Sequence, residues 1–275
     1  MDESKKQPSR RHVRLSRAQI WGLVILMAMT TLTVLSLVWF VLRLLPIQHV
    51  ELRGSTRYEV TDLRRAMELG QEEKLFHVDT EEMEQILLKR CPYLKTVSIE
   101  RSLPDRLVIS VTERVPVWYL KIGSLCYVLD EELLVVEEST NENLLLESGL
   151  VGLKLPNLKS AVVGEFPVFG MVSNRSEEEN HREIKMTCEL LAQIQVYRLR
   201  LTLLDLESRF DIQAVSEGRF RIYFGDYTQM DSKLEFVKRL LDENRELYQT
   251  GEIDASDISS NIHFRPTAGE SETAG

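Results

Sequence analysis

Residues 97–112, VSIERSLPDRLVISVT, predict a strand, a turn and a returning strand. Apolar and polar residues alternate over residues 97–100, as in a strand with one buried face. Pro104 and Asp105 are residues that turns favour. Residues 107–112 are rich in the β-branched and aliphatic side chains that strands favour. The alternation on both sides of this turn predicts a small sheet with one apolar face.

The residues upstream complete this sheet and cover it. Residues 50–53 alternate and then meet Gly54, which predicts a short strand that ends in a turn tolerant of positive φ. Thr61 is a predicted helix cap, and Asp79 with Glu82 resembles a capping box. Apolar residues fall at helical spacing behind these two caps: Leu63, Ala66 and Met67, then Met83, Ile86 and Leu87. The predicted order is β-α-α-β-β, with two helices packed on one face of the sheet.

The residues downstream predict a second, β-rich module. Short apolar runs at 118–120, 125–129 and 133–136 predict a β-meander, with a turn at Glu131 and Glu132. Helical spacing then predicts two amphipathic helices, one through Ile184, Cys188, Leu191 and Ile194, the other through Met230, Leu234, Val237 and Leu241 to about Tyr248. Further strands are predicted at 201–206, 212–215, 220–224, 252–255 and 261–265.

A long uncharged segment precedes both modules. Residues 20–42, IWGLVILMAMTTLTVLSLVWFVL, contain no charged side chain. As a helix they extend about 34 Å, against a hydrocarbon core of about 30 Å. Ile20 and Leu42 bound this predicted membrane anchor, and Trp21 and Trp39 lie where interfacial aromatic rings are favoured. A cleaved signal peptide is the alternative, but its apolar region is shorter and ends in a small-x-small site.

Charge is distributed unevenly along the 275 residues. The total is −9, and residues 1–19 carry six basic and two acidic side chains, so residues 43–275 carry −13. The positive-inside rule predicts that residues 1–19 are cytoplasmic and residues 43–275 extracytoplasmic. The acidic balance argues against broad nucleic-acid binding, which needs a basic surface.

No residue pattern predicts catalysis, a metal site or a cofactor. The five histidines form no HExxH or similar spacing, and no GxSxG, GxxxxGK[ST] or GxGxxG sequence occurs. His77 is predicted to lie in a loop or at a strand end. Cys91, Cys126 and Cys188 form no CxxC motif, although a single disulfide is compatible with an extracytoplasmic location.

Several motifs in order resemble the POTRA module of the FtsQ/DivIB bacterial cell-division proteins. The motifs are VELRGS at 50–55, LFHVD at 75–79, CPYL at 91–94, IERSLPDRL at 99–107 and VTERVPV at 111–117. Residues 222–241 resemble a later family segment, and residues 252–255 a family strand in which Ser256 replaces the usual Arg. Glu131 and Glu132 also replace the usual turn residues.

This resemblance implies an α+β protein with five consecutive parts. They are a basic cytoplasmic segment at 1–19, a transmembrane helix at 20–42, a β-α-α-β-β POTRA domain at 47–115, a mixed α/β domain with a largely antiparallel sheet at 116–266, and a polar tail at 267–275. It also implies a single-pass protein of the cell membrane at the division septum, which contacts membrane lipid through its one anchor.

The resemblance further implies a non-enzymatic scaffold that binds small single-span coiled-coil division proteins, FtsB/DivIC-like and FtsL-like, and helps to regulate septal peptidoglycan synthesis. No nucleic acid or small-molecule substrate is expected. In the family, a partner strand joins the C-terminal edge of the second sheet, where unpaired N–H and C=O groups are available. The predicted partner-binding residues are Ile253, Asp254, Ala255, Ile262, His263 and Phe264. The apolar ones among them are also compatible with the domain core.

Two other functions remain open from the sequence. One is a membrane-anchored extracytoplasmic cell-wall hydrolase with an unrecognised carboxylate site. The other is a POTRA-type polypeptide-transport component, although residues 116–275 are too short and too interrupted by helices for the many spans of an outer-membrane barrel.

Overall fold

The computed structural model describes residues 17–42, 45–54, 56–70, 73–170, 177–243, 250–257 and 264–266. The basic segment before Arg17 and the tail after Pro266 lie outside them. Helix α1 is Arg17–Leu42. By length and composition, it is the one helix among the described residues that is apolar and long enough to cross a membrane, over Ile20–Val41.

Five elements after α1 form the predicted β-α-α-β-β unit. They are β1 His49–Arg53, α2 Val60–Ala66, α3 Thr80–Arg90, β2 Leu94–Ser102 and β3 Arg106–Glu113. The sheet order is β1-β3-β2, with β1 parallel and β2 antiparallel to β3. The antiparallel pair β2–β3 is the strand, turn and returning strand that residues 97–112 predict. Leu63, Leu87, Leu107 and Ile109 are fully buried in the core beneath these helices.

Local signals explain where these elements begin and end. The Asp79 carboxylate accepts hydrogen bonds from the backbone N–H groups of Glu81 and Glu82, which confirms it as the cap of α3. The prediction for Thr61 was wrong, because α2 begins at Val60 and Glu59 is its N-cap. The Glu59 backbone N–H donates to the Asp62 carboxylate at 3.2 Å, so the cap lies two residues earlier.

Gly54 has the positive φ predicted for it. Its φ is 105°, and a Cβ there would lie 2.1 Å from the Val111 carbonyl oxygen. Glycine is therefore required both by the backbone conformation and by the close approach of β3. This position fixes how the chain leaves β1 for α2.

The remaining elements build a nine-stranded sheet with helices packed against it. In chain order they are β4 Pro116–Ile122, β5 Leu125–Asp130, β6 Val135–Ser139, α4 Glu142–Glu147, β7 Val151–Lys154, β8 Leu158–Ser160, β9 Val168–Phe169, α5 Glu177–Val196, β10 Leu201–Asp205, β11 Ile212–Ser216, β12 Phe220–Gly225, α6 Met230–Glu243, β13 Gly251–Asp254 and β14 Phe264–Pro266. The strand order is β14-β13-β12-β11-β10-β7-β4-β5-β6. Strands β8 and β9 pair separately.

This sheet confirms the α+β class and the β-meander formed by β4, β5 and β6. Five of its eight strand pairs are antiparallel, and the pairs β13–β12, β10–β7 and β7–β4 are parallel. The sequence did not predict α4, β7, β8 or β9. Strand β7 is only four residues long, VGLK, and too short to show a clear period, yet it joins the two halves of the sheet.

Some predicted boundaries differ from the structure. Strand β6 begins at Val135, because Leu133 has a φ of 66° and belongs to the turn after Glu132. Helix α5 runs over Glu177–Val196 and contains the predicted residues Ile184, Cys188, Leu191 and Ile194. Helix α6 is described to Glu243, and the predicted continuation to Tyr248 lies outside the described residues.

Candidate partner-binding edge and domain junction

Strand β14 is the terminal strand at one end of the nine-stranded sheet. It pairs antiparallel with β13, with Phe264 opposite Ile253 and Pro266 opposite Gly251. No strand among the described residues pairs with its outer side. Pro266 lacks a backbone N–H, and proline within sheets is confined to edges, so the residue suits this position. The outer side of β14 is therefore a candidate site for strand addition.

The predicted partner-binding residues occupy different environments at this edge. Ile253 is 1% exposed and Ala255 fully buried, and both lie in the domain core. The Asp254 side chain is exposed and accepts hydrogen bonds from the backbone N–H and hydroxyl of Ser256. The Phe264 ring is partly buried, 6.1 Å from that of Phe220. Ile262 and His263 lie outside the described residues.

Close packing holds β14 on β13. A Cβ at Gly251 would lie 2.5 Å from the Phe264 ring and 2.9 Å from the Arg265 carbonyl oxygen. Only glycine allows this approach. Because the φ of Gly251 is not in the positive region, glycine is required here by lack of space and not by backbone conformation. The Gly251 N–H donates to the Arg219 carbonyl oxygen at 3.2 Å, which joins β13 to β12.

The opposite end of the sheet is covered where β6 begins. The N–H of Val135, the first residue of β6, donates to the Glu165 carbonyl oxygen at 3.1 Å, and its carbonyl oxygen accepts from the Gly164 N–H at 2.8 Å. The loop that contains Gly164 thus occupies the outer side of β6 where that strand begins. A Cβ at Gly164 would lie 3.8 Å from the Lys89 carbonyl oxygen, so this loop also approaches the end of α3.

A buried ion pair lies where the POTRA-like unit meets the second sheet. Nη1 of Arg114 is 2.6 Å from Asp130 Oδ2, and the Asp130 side chain is only 1% exposed. Asp130 also accepts the N–H groups of Glu132 and Leu134, which fixes the turn after β5. Arg114 reaches Glu132 as well, at 3.0 Å. The Arg114 side chain is itself largely buried, with 13% of its surface exposed.

Aromatic and charged side chains from both units meet beside this pair. The Tyr93 hydroxyl donates to the Glu137 carboxylate, and the Arg57 guanidinium lies 3.3 Å from the Tyr93 ring centre. Burial, with Glu137 beside it, raises the pKa of the Tyr93 hydroxyl, which therefore stays protonated. Tyr93 also belongs to an apolar cluster with Tyr119, Cys126, Val128, Val136 and Leu145 of the second unit. The junction is thus both apolar and ionic.

A buried lysine was missed by the sequence analysis. Lys233 is 2% exposed, and its Nζ donates to the Asp226 backbone carbonyl at 2.8 Å and to its carboxylate at 3.1 Å. It holds the β12–α6 loop against the first turn of α6. Lys233 directly precedes Leu234 on the apolar face of α6, and this position could have indicated its burial. Lysines beside an apolar helix face are more often exposed to water, so the sequence alone did not predict it.

The candidate anchor residues lie on α1. The side chains of Ile20, Trp21 and Trp39 are exposed, as expected for residues that face lipid rather than protein. Leu42 is the last residue of the helix, and its side chain lies outside the described residues.

The geometry at the remaining candidate groups suggests no chemistry. His77 is exposed in a turn. The three cysteines are free thiols, and burial raises the pKa of Cys188 to about 11, so its nucleophilic thiolate is scarce at neutral pH. Within the described ranges, no three His, Cys, Asp or Glu side chains are placed to hold a metal ion.

Comparison with known proteins agrees with the sequence motifs. Residues 45–114 match the family model described as POTRA domain, FtsQ-type. The chain is 30% identical over 94 residues to the cell division protein FtsQ of Corynebacterium glutamicum, covering 34% of this chain and 41% of that protein. It is 22% identical over 200 residues to the cell division protein DivIB of Clostridium tetani, covering 72% and 70%.

A second FtsQ, from Myxococcus fulvus, is 34% identical over 86 residues, which cover 31% of this chain and 30% of that protein. The matched segments therefore span less than half of either FtsQ and about two thirds of the DivIB protein. These findings confirm the resemblance deduced from the motifs.

Proposed function

We propose that this chain is a non-enzymatic divisome scaffold of the FtsQ/DivIB family of cell division proteins. The POTRA match and the named relatives support this family. Its proposed partners are single-span coiled-coil division proteins of the FtsB/DivIC-like and FtsL-like kinds. Through them it helps to regulate septal peptidoglycan synthesis carried out by other proteins. The proposed domains are POTRA at 47–115 and the β-rich domain at 116–266.

The proposed topology places both domains outside the cytoplasm on one anchor. Six basic residues precede the apolar span that begins at Ile20, and Arg43 and Arg53 are the only ones soon after it. This asymmetry favours a cytoplasmic N-terminus. The one apolar helix of membrane-spanning length among the described residues, and the relatives named as cell division proteins, support a single-pass protein.

One observation carries the binding proposal, namely that the two ends of the sheet differ. The outer side of β14 has no partner strand among the described residues, while the start of β6 is covered by the Gly164 loop. A partner strand added at β14 forms main-chain hydrogen bonds that give affinity, and side-chain pockets give specificity. With Ile253 and Ala255 in the core, specificity falls to the exposed Asp254 side chain on β13 and the partly exposed Phe264 ring on β14.

The test measures binding of the full chain, in neutral detergent, to the extracytoplasmic parts of the cognate FtsB/DivIC-like and FtsL-like proteins. One variant ends at Asp257 and lacks β14 but keeps β13, so the core residues Ile253 and Ala255 stay. The matched control ends at Pro266 and keeps β14. We expect the control to bind as the full chain does and the shorter variant to bind at least tenfold more weakly.

Two results would contradict the proposal. Equal binding by both truncated chains would move the site away from β14. No binding at micromolar concentration by the full chain, with thermal unfolding showing that it is folded, would reject the partner assignment. In that case, assays of the same chain on cell-wall glycans and peptides would test the hydrolase alternative.

A further inference from the structure

A basic cavity lies at the end of the sheet where β11 turns into β12. Its volume is about 280 Å³, slightly below the range of pockets for drug-sized ligands. Three parts of the chain contribute its charged side chains: the segment between α5 and β10, the β11–β12 turn and α6. These side chains are Arg198, Arg200, Glu217, Arg219, Lys238 and Asp242. We propose that this cavity binds a phosphate group.

The charge of the cavity contrasts with that of the chain after the apolar helix. Four basic and two acidic side chains give the cavity a formal charge of +2, whereas residues 43–275 carry −13. A concave site of one sign attracts a small ion of the opposite sign. The net negative charge of residues 43–275 disfavours a long polyanion such as nucleic acid. The charge pattern therefore favours a compact anion.

The backbone around the cavity is held in place. The Arg200 carbonyl oxygen accepts the Glu217 N–H at 2.9 Å and the Ser216 hydroxyl at 3.0 Å. The Arg219 N–H donates to the Ser216 carbonyl oxygen at 3.0 Å, and the Arg219 carbonyl oxygen accepts the Gly251 N–H. The backbone positions from which the Arg200 and Arg219 side chains extend are thus fixed, so no backbone ordering is needed on binding.

Donors remain available in this arrangement. The Glu217 carboxylate pairs with both Arg200, at 3.4 Å, and Arg219, so each guanidinium shares one carboxylate and keeps other N–H groups. Within the described part of the chain, neither Arg198 nor Lys238 forms an ion pair, and both are exposed. Guanidinium groups match the oxygens of phosphate in a bidentate geometry, which favours phosphate over a single carboxylate.

The phosphate can be free or carried as an ester by a larger molecule, and the probes distinguish the two. Calorimetry on the full chain in dodecyl maltoside would use inorganic phosphate, then glycerol 3-phosphate, then the diester glycerophosphoglycerol, each against acetate. Saturable binding of inorganic phosphate alone indicates the free ion. Tighter binding of either ester indicates an esterified phosphate.

The decisive variant is Arg198→Gln with Lys238→Gln, because neither side chain has an ion-pair partner in the described structure. The matched control is Arg182→Gln with Lys185→Gln, an equal change of charge on exposed positions of α5 outside the cavity. We expect Kd to rise at least tenfold in the first variant and less than twofold in the control. Absence of saturable binding of any phosphate probe at about 10 mM, tenfold above a millimolar Kd, would overturn the proposal. Equal losses in both variants would also overturn it, since they would indicate a general charge effect.

Discussion

The two ends of the nine-stranded sheet are held in different ways. At the β6 end, a loop covers the start of the strand, and the POTRA domain packs beside it through the Arg114–Asp130 pair and the cluster around Tyr93. At the β14 end, a three-residue strand rests on β13, with Phe264 against Phe220. Changes at the first end should therefore affect folding stability, and changes at the second should affect mainly partner binding.

This difference assigns separate tasks to the two ends. The junction buries charge and aromatic surface, which holds the POTRA domain in one position relative to the sheet. Among the described residues, no strand pairs with the outer side of β14, and natural sheets usually hide such an edge. The proposed scaffold needs both features, because an edge that binds a partner is useful only if the rest of the molecule holds it in a fixed place.

The largest expected effect is at the buried ion pair. Arg114→Ala leaves the Asp130 carboxylate, 1% exposed, without its cation. Loss of one partner of a buried pair costs about 3–5 kcal/mol, and the two N–H groups that Asp130 accepts place the loss near the lower end of that range. Urea unfolding of the full chain and the variant would measure it.

The control for this change is Glu132→Gln, whose side chain is 50% exposed. An exposed pair contributes about 0–1 kcal/mol, so this control should remain close to the parent. A loss below about 1 kcal/mol for Arg114→Ala would mean that water reaches Asp130, and the junction would then be no more rigid than the β14 end.

The second effect is at the open end. Gly251→Ala places a Cβ against the Phe264 ring and the Arg265 carbonyl oxygen, so β14 must shift. Overpacking costs about 1–3 kcal/mol, but a terminal strand can detach, so we expect the lower figure together with loss of partner binding. Hydrogen exchange at residues 251–254 would report the detachment.

A second substitution separates ring contact from strand pairing. Phe264→Ala removes the ring that the new Cβ meets, so the double variant should recover part of the protection at β13. If the double variant is as unprotected as Gly251→Ala alone, the backbone contact at Arg265, and not the ring, decides whether β14 stays in place.

The third effect is at the Tyr93 hydroxyl. Tyr93→Phe keeps the ring under Arg57 and removes the hydrogen bond to Glu137. A net loss of about 1 kcal/mol is expected, since Glu137 is half exposed and water can replace the bond. Tyr127→Phe is the control, because the Tyr127 hydroxyl forms no hydrogen bond within the described residues. If the double variant loses as much stability as Tyr93→Phe and Glu137→Gln lose together, the hydrogen bond contributes nothing.

The sequence predicted the POTRA domain better than the sheet that follows it. Alternation at 97–100, the turn at Pro104 and the Asp79 cap are local signals, and the structure confirms each. Strand β7 is invisible to such signals, since its four residues, which lie between two parallel neighbours, are too few to show a period. The Arg114–Asp130 pair joins residues of two domains, and nothing in the spacing of 16 residues indicates that both are buried.

The candidate edge was predictable only in part. The motifs located residues 252–255 and 261–265 as the last strands, but alternation did not reveal which side chains face the core. The structure buries Ile253 and Ala255 because β13 lies inside the sheet, with β12 and β14 on either side. That order depends on pairings distant in sequence, so no local pattern contains it.

The smallest effect is a dependence on pH at the junction. Burial disfavours ionised Glu132, but its hydrogen bonds to Lys95 and Arg114 outweigh burial and lower its pKa below the ordinary 4.5. A lowered pKa means that the ionised group stabilises the fold above pH 4.5 and that this contribution is lost as pH falls through the lowered value. Thermal unfolding between pH 6 and 3 should therefore show a smaller decline in Tm for Glu132→Gln than for the parent chain. Equal declines would show that Glu132 does not couple the junction to pH, and the difference between the two ends would then rest on Arg114 and Asp130 alone.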